Sequence, residues 1–131
     1  MLTLTLDRRA VIRSAAIGSV AAAFGTSAEA AANGNYYVIA ELVSKPDQAD
    51  AMRAILVPFV AGARKEPGCV HYSLLEDVKQ PGRFLTFETW TNEDALKAHM
   101  VTPEIKAAIP KLEPLFAKPV AQTFMSMVSD A

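Results

Sequence analysis

The stretch Phe84–Met100, FLTFETWTNEDALKAHM, constrains the fold most, because a period of two runs directly into a capped helix. Alternation puts Phe84, Thr86, Glu88 and Trp90 on one face of a strand and Leu85, Phe87 and Thr89 on the other. Both faces are largely apolar. Such a strand belongs to a sheet that must be covered twice, by helices on one side and by another sheet or subunit on the other. Thr91-Asn92-Glu93-Asp94 reads as a capping box that starts a helix at Asn92. Leu96, His99 and Met100 then share the face that packs onto the sheet, which brings Glu88, Trp90 and His99 into one neighbourhood. A buried carboxylate requires a partner, and His99, His71 or a tyrosine hydroxyl are the candidates for Glu88. The plainer alternative keeps Trp90 as a core residue and His99 as a satisfied, half-buried histidine.

The remaining elements follow from pattern and punctuation. Tyr36–Val43 is rich in β-branched and aromatic residues and reads as the first strand. After a turn at Lys45-Pro46-Asp47, Ala49, Met52, Ile55, Leu56, Phe59, Val60 and Ala63 recur at helical spacing, with a kink or loosened turn expected at Pro58. Pro67-Gly68 stops that helix, Cys69–Glu76 is a second strand, and Asp77–Arg83 closes a hairpin. Thr102-Pro103-Glu104 restarts a helix, with threonine as cap and proline at the first position, and residues 120–128 form the last strand. The order β-α-β-β-α-β predicts an α+β, ferredoxin-like fold: a four-stranded antiparallel sheet with its helices on one face. The first strand is apolar on both sides, so the helix-free face calls for a second copy and predicts a homodimer.

Composition sets the outer limits. A chain of 131 residues, 51% apolar and 21% charged, makes one packed domain. A formal net charge of -1 provides no basic stripe for phosphates, so nucleic acid is not an expected partner. Cys69, the single cysteine, precludes an intramolecular disulfide and suits a small buried role. His71 and His99 are too few ligands for a zinc or iron site, and no metal is expected. Residues 1–30 read as an export signal and residues 31–131 as the domain. Arg8-Arg9, followed by Val11-Ile12-Arg13, resembles the twin-arginine pattern, and Ala28-Glu29-Ala30 fits cleavage after Ala30. Ser14–Phe24 is too short to anchor stably in a hydrocarbon core of roughly 30 Å, so the expected location is periplasmic or otherwise exported, without a membrane anchor after cleavage.

Four segments carry a resemblance to a known family: Val38-Ile39-Ala40-Glu41, Glu66-Pro67-Gly68-Cys69, Phe87-Glu88-Thr89-Trp90, and Ala95-Leu96-Lys97-Ala98-His99 with Thr102-Pro103. The chain resembles the antibiotic biosynthesis monooxygenase domain family of dimeric α+β barrels over Tyr36–Met127. The resemblance implies a monooxygenase that acts on a quinol, anthrone or other phenolic substrate with dioxygen and without a cofactor. It implies His99, Trp90 and Glu88 as catalytic residues, with Glu41, Phe59, His71 and Tyr72 around the substrate. A haem-degrading branch of the same superfamily carries an asparagine where this chain has Leu42, although Trp90 and His99 match that branch by type. The alternatives are a small-ligand or haem-binding, stress-protective module without turnover, and an isomerase of small oxidised sugars or carbonyl compounds.

Replacing Arg8 and Arg9 by lysine is expected to hold the precursor in the cytoplasm, as read by fractionation. Unchanged appearance of mature protein outside the inner membrane would overturn the twin-arginine reading.

Overall fold

The computed structural model describes residues 34–129, with a packed unit at Gly34–Met127. The expected export signal lies outside the described residues. Strand β1 is Tyr36–Val43, helix α1 Ala49–Ala63, β2 Cys69–Glu76, β3 Arg83–Trp90, α2 Glu93–His99, α3 Pro103–Leu112 and β4 Ala121–Met125. A short 3-10 turn, Glu113–Leu115, follows α3. The sheet order is β2-β3-β1-β4 with every neighbouring pair antiparallel, which is the ferredoxin-like arrangement. No helix among the described residues is long and apolar enough to cross a membrane.

Strand parity decides which side chains meet the helices. Val38, Ala40 and Leu42 of β1 and Phe84, Thr86, Glu88 and Trp90 of β3 are all buried on the helix side. Val38, Tyr72 and Trp90 pack with Val60, Ala63 and Leu96 at one end of the sheet. Ala40, Leu42 and Phe84 pack with Met52, Leu56 and Leu112 at the other. The opposite face carries Tyr37, Ile39, Leu85 and Phe87, with the Tyr37 and Phe87 rings stacked at 6.4 Å. Helix α1 runs through Pro58 as one continuous element.

Two boundaries differ from the sequence expectation. The cap of α2 is Asn92, whose side chain accepts from the Ala95 N–H at 2.8 Å, rather than Thr91. Thr91 is still held to the sheet: its N–H donates to the Gly68 carbonyl at 2.9 Å, so the helix starts one residue later. Strand β4 is shorter than residues 120–128, because Met125 already pairs with Tyr37 near the start of β1 and the template ends there.

The Glu66–Cys69 turn is tightly fitted. Gly68 has φ +83°, and a Cβ there would lie 2.5 Å from Ala95 Cβ and 2.9 Å from Thr91 Oγ1. Gly68→Ala is therefore expected to cost about 1–3 kcal/mol from the backbone conformation alone. Thermal unfolding measures the loss, and an unchanged melting temperature would show that the turn relaxes freely.

Candidate active site

A cavity of about 420 Å³ lies between the helix side of the sheet and the helices. Leu42, Leu56, Phe59 and Leu112 supply apolar wall, and Tyr72, Thr86, Glu88 and His99 supply its buried polar groups. Leu42 thus puts a hydrocarbon surface where the haem-degrading branch carries an amide.

Glu88 is 3% exposed, which is tolerable only with both oxygens hydrogen-bonded. The Thr86 hydroxyl donates to Oε1 at 2.8 Å and the Trp90 indole N–H to Oε2 at 3.0 Å. Thr86 in turn accepts from the Ala40 N–H at 3.3 Å, which ties the carboxylate to β1 as well as β3. Tyr72 faces Glu88 across the β2–β3 pair. Burial first, then the charge and hydrogen bonding of Glu88, push the Tyr72 phenol well above the ordinary tyrosine range. The phenol therefore remains a proton donor at physiological pH. Neither histidine is the hydrogen-bond partner of Glu88: two side chains of its own strand, both at i±2, fill that role because alternation places them on the same face.

His99 arrives from the end of α2 and is 3% exposed. Its ring lies 4.6 Å from that of Trp90, 5.8 Å from Phe59 and 5.9 Å from Tyr72. Its Nδ1 is 2.6 Å from Glu66 Oε2. A carboxylate can only accept, so Nδ1 carries the proton and, in the neutral ring, Nε2 keeps its lone pair. Glu66 Oε1 is the one buried side-chain oxygen or nitrogen among the described residues that has no hydrogen-bond partner. His99 lines the cavity, and its Nδ1 is the ring nitrogen held by Glu66. Glu66 was absent from the expected site residues. Its signal in the sequence was the Glu66-Pro67-Gly68 turn itself, where a carboxylate sits at a stop between helix and strand. The contact spans 33 residues and has no periodicity to announce it.

The seven expected site residues divide by face. Glu88, Tyr72, Phe59 and His99 line the cavity, and Trp90 stands behind them, fully buried, touching both Glu88 and His99. Glu41 and His71, expected beside the substrate, belong to the opposite face of the sheet and are not among the residues that line this cavity. Glu41 alternates with the inward Ala40 and Leu42 and bonds Lys118 at 2.6 Å and Arg83 at 2.7 Å. Those two cations, Lys118 first, hold its carboxyl below the usual range. His71 is turned outward by a β-bulge after Cys69, with its Nε2 at 2.8 Å from Ser73 Oγ and its ring 5.5 Å from Phe87. Burial raises the Cys69 thiol, which leaves it a weak nucleophile. Among the described residues, no three His, Cys, Asp or Glu side chains gather as a metal site.

Comparison with known proteins finds relatives of this chain in both sequence and backbone. The antibiotic biosynthesis monooxygenase family model matches residues 35–111. An uncharacterized protein of Synechocystis is 40% identical over 75 residues, 57% of this chain; the match spans about half of that protein, 51%. An isomerase of Salmonella paratyphi B, named for (4S)-4-hydroxy-5-phosphonooxypentane-2,3-dione, is 35% identical over 68 residues, covering 51% of this chain and 71% of its own length. Rv0793 of Mycobacterium tuberculosis, provisionally named a monooxygenase, is 31% identical over 94 residues, covering 72% of this chain and 92% of its own. The solved structure of Rv0793 superimposes with a TM-score of 0.70 at 30% identity, over 75% of this chain and 99% of that one. A family profile that covers more than half of the sequence, and a relative matched along nearly its whole length in both sequence and backbone, place this chain in the antibiotic biosynthesis monooxygenase family.

Proposed function

We propose that this chain is a cofactor-independent monooxygenase of a quinol, anthrone or related phenolic aromatic. The observation that carries this reading is the His99 ring: Glu66 holds it at Nδ1, and the ring lines a cavity walled largely by hydrocarbon and aromatic side chains. A general base needs reach to the proton it takes and a surrounding that excludes water, and His99 has both. Nε2 accepts the phenolic proton, and Glu66 faces the positive charge that forms on the ring. The resulting anion is electron-rich enough to pass an electron to dioxygen. Recombination forms a carbon–oxygen bond, and loss of water leaves a carbonyl. For an anthrone, the ring methylene and one dioxygen thus give one carbonyl and one water; for a quinol, one dioxygen gives a hydroxyquinone and one water, in both cases with no outside reductant. Phe59 and Tyr72 give the substrate ring flat contacts, while Trp90 backs His99 and braces Glu88.

A second reading comes from the isomerase relatives. A base that removes a proton beside a carbonyl and returns it to a neighbouring atom is isomerase chemistry, and His99 Nε2 suits it too. The substrate in the Salmonella enzyme's name carries a phosphate. None of the described residues lining this cavity is a lysine or arginine, so the cavity favours an unphosphorylated, flatter molecule.

The same proposal includes two copies joined across the helix-free sheet face, supported by partly exposed Phe87 and Leu75 there, and delivery by the export signal of residues 1–30. The discriminating measurement is oxygen uptake by the full chain over a panel of quinols and anthrones, aerobically and anaerobically. Oxygen-dependent turnover is expected, with His99→Ala reducing it about a hundredfold, the usual scale for losing a general base. Turnover that survives removal of oxygen would favour the isomerase, and an unaffected His99→Ala would remove His99 as the base.

A further inference from the structure

The cavity has two chemically different ends. At the inner end Tyr72, Thr86, Glu88 and His99 are all buried. At the outer end the lining residues Met100, Ile109 and Val120 are 38%, 41% and 39% exposed. They come from three separate elements: the C-cap of α2, the outer part of α3 and the residue before β4. The amide of Gln122 lies 3.9 Å from Met100 Sδ, so β4 and the end of α2 meet at this rim. Leu42, Ile105 and Leu112 add apolar lining, and the exposed Glu113 and Gln122 contribute a carboxylate and an amide to it.

Size points the same way. A cavity of about 150 Å³ is enough to take benzene. At about 420 Å³ this one has room for much more than one ring. A ring whose hydroxyl reaches His99 leaves the outer part of the cavity unfilled and the three rim side chains in water. An apolar substituent on that ring fills the first and covers the second.

We infer that the substrate is an amphiphilic phenol: an aromatic head at His99 with an alkyl or similarly apolar chain running outward past Leu112 to a rim of Met100, Ile109 and Val120. The inference deepens the proposed function and rests on it for the position of the head. The chain site itself follows from the shape and polarity of the cavity. Burying a methylene is worth a few-fold in affinity, on the order of threefold, when the group leaves water completely. The gain applies as far as the rim and stops where the chain re-enters solvent. A single bare ring, by the same reasoning, binds weakly and without a fixed orientation.

The test is calorimetric binding of 4-ethylphenol, 4-butylphenol and 4-hexylphenol to the full chain, without turnover. Affinity is expected to rise with each added methylene by on the order of threefold, with an increasingly negative heat-capacity change as apolar surface is buried. Ile109→Asp, on the exposed side of α3, is expected to flatten that rise, and Val120→Asp gives the same readout from a different element. Equal affinity across the three phenols in the unmodified protein would overturn the inference, whatever the variants do. Hexylbenzene separates the two claims. If it binds as tightly as hexylphenol while affinity still depends on chain length, the apolar site stands and the assignment of a hydroxyl to His99 falls. If length has no effect but the hydroxyl does, the chain site falls and the base remains.

Discussion

A carboxylate in the middle of a sheet is the constraint on which the site depends. Glu88 has exchanged water for the Thr86 hydroxyl and the Trp90 indole N–H, and Thr86 is itself fastened to the Ala40 amide. Removing either donor would leave a buried oxygen bare, a loss of about 1–3 kcal/mol or more for a charged group. The arrangement therefore fixes three side chains at once. It holds the Trp90 indole, against which the His99 ring lies tilted at 4.6 Å, and together with burial it keeps the proton on the Tyr72 phenol. Glu88 is committed to organising the polar end of the cavity, which leaves His99 as the group with an available lone pair.

His99 has its own carboxylate, from a different part of the chain. Glu66 lies just before the Pro67-Gly68 turn, and that turn packs so closely on Ala95 and Thr91 that only a glycine fits at position 68. One tight contact thus sets two things: where α2 starts and where Glu66 points. The ring at the far end of α2 is then held at Nδ1. The two carboxylates have separate tasks, Glu88 with the sheet and Glu66 with the histidine.

The inward face of β3 was legible because a period of two allows only one partition of Phe84, Thr86, Glu88 and Trp90, and the helix that follows has one apolar face on which His99 must lie. The strand order and the helix-side core follow from the same patterns. What could not be read were departures from strict alternation and contacts without local spacing. The bulge after Cys69 shifts His71 onto the outer face, and no residue type near it marks the extra position. Glu41 was readable by parity, as the outward neighbour of Ala40 and Leu42, yet a charge in an apolar strand suggests a pocket more readily than the Arg83 and Lys118 pair that it meets. Glu66 is the opposite case: a surface-looking residue at a helix stop that tertiary packing turns inward. The capping shift from Thr91 to Asn92 has a similar origin, since the threonine is retained by its bond to Gly68.

The indole of Trp90 is the chain's single tryptophan, fully buried and 4.6 Å from the His99 ring. Tryptophan emission of this protein consequently originates at one point, beside the imidazole and hydrogen-bonded to Glu88. Anything that enters the cavity against His99, or changes how that ring packs, is thereby read by this one indole from within the site and without a label.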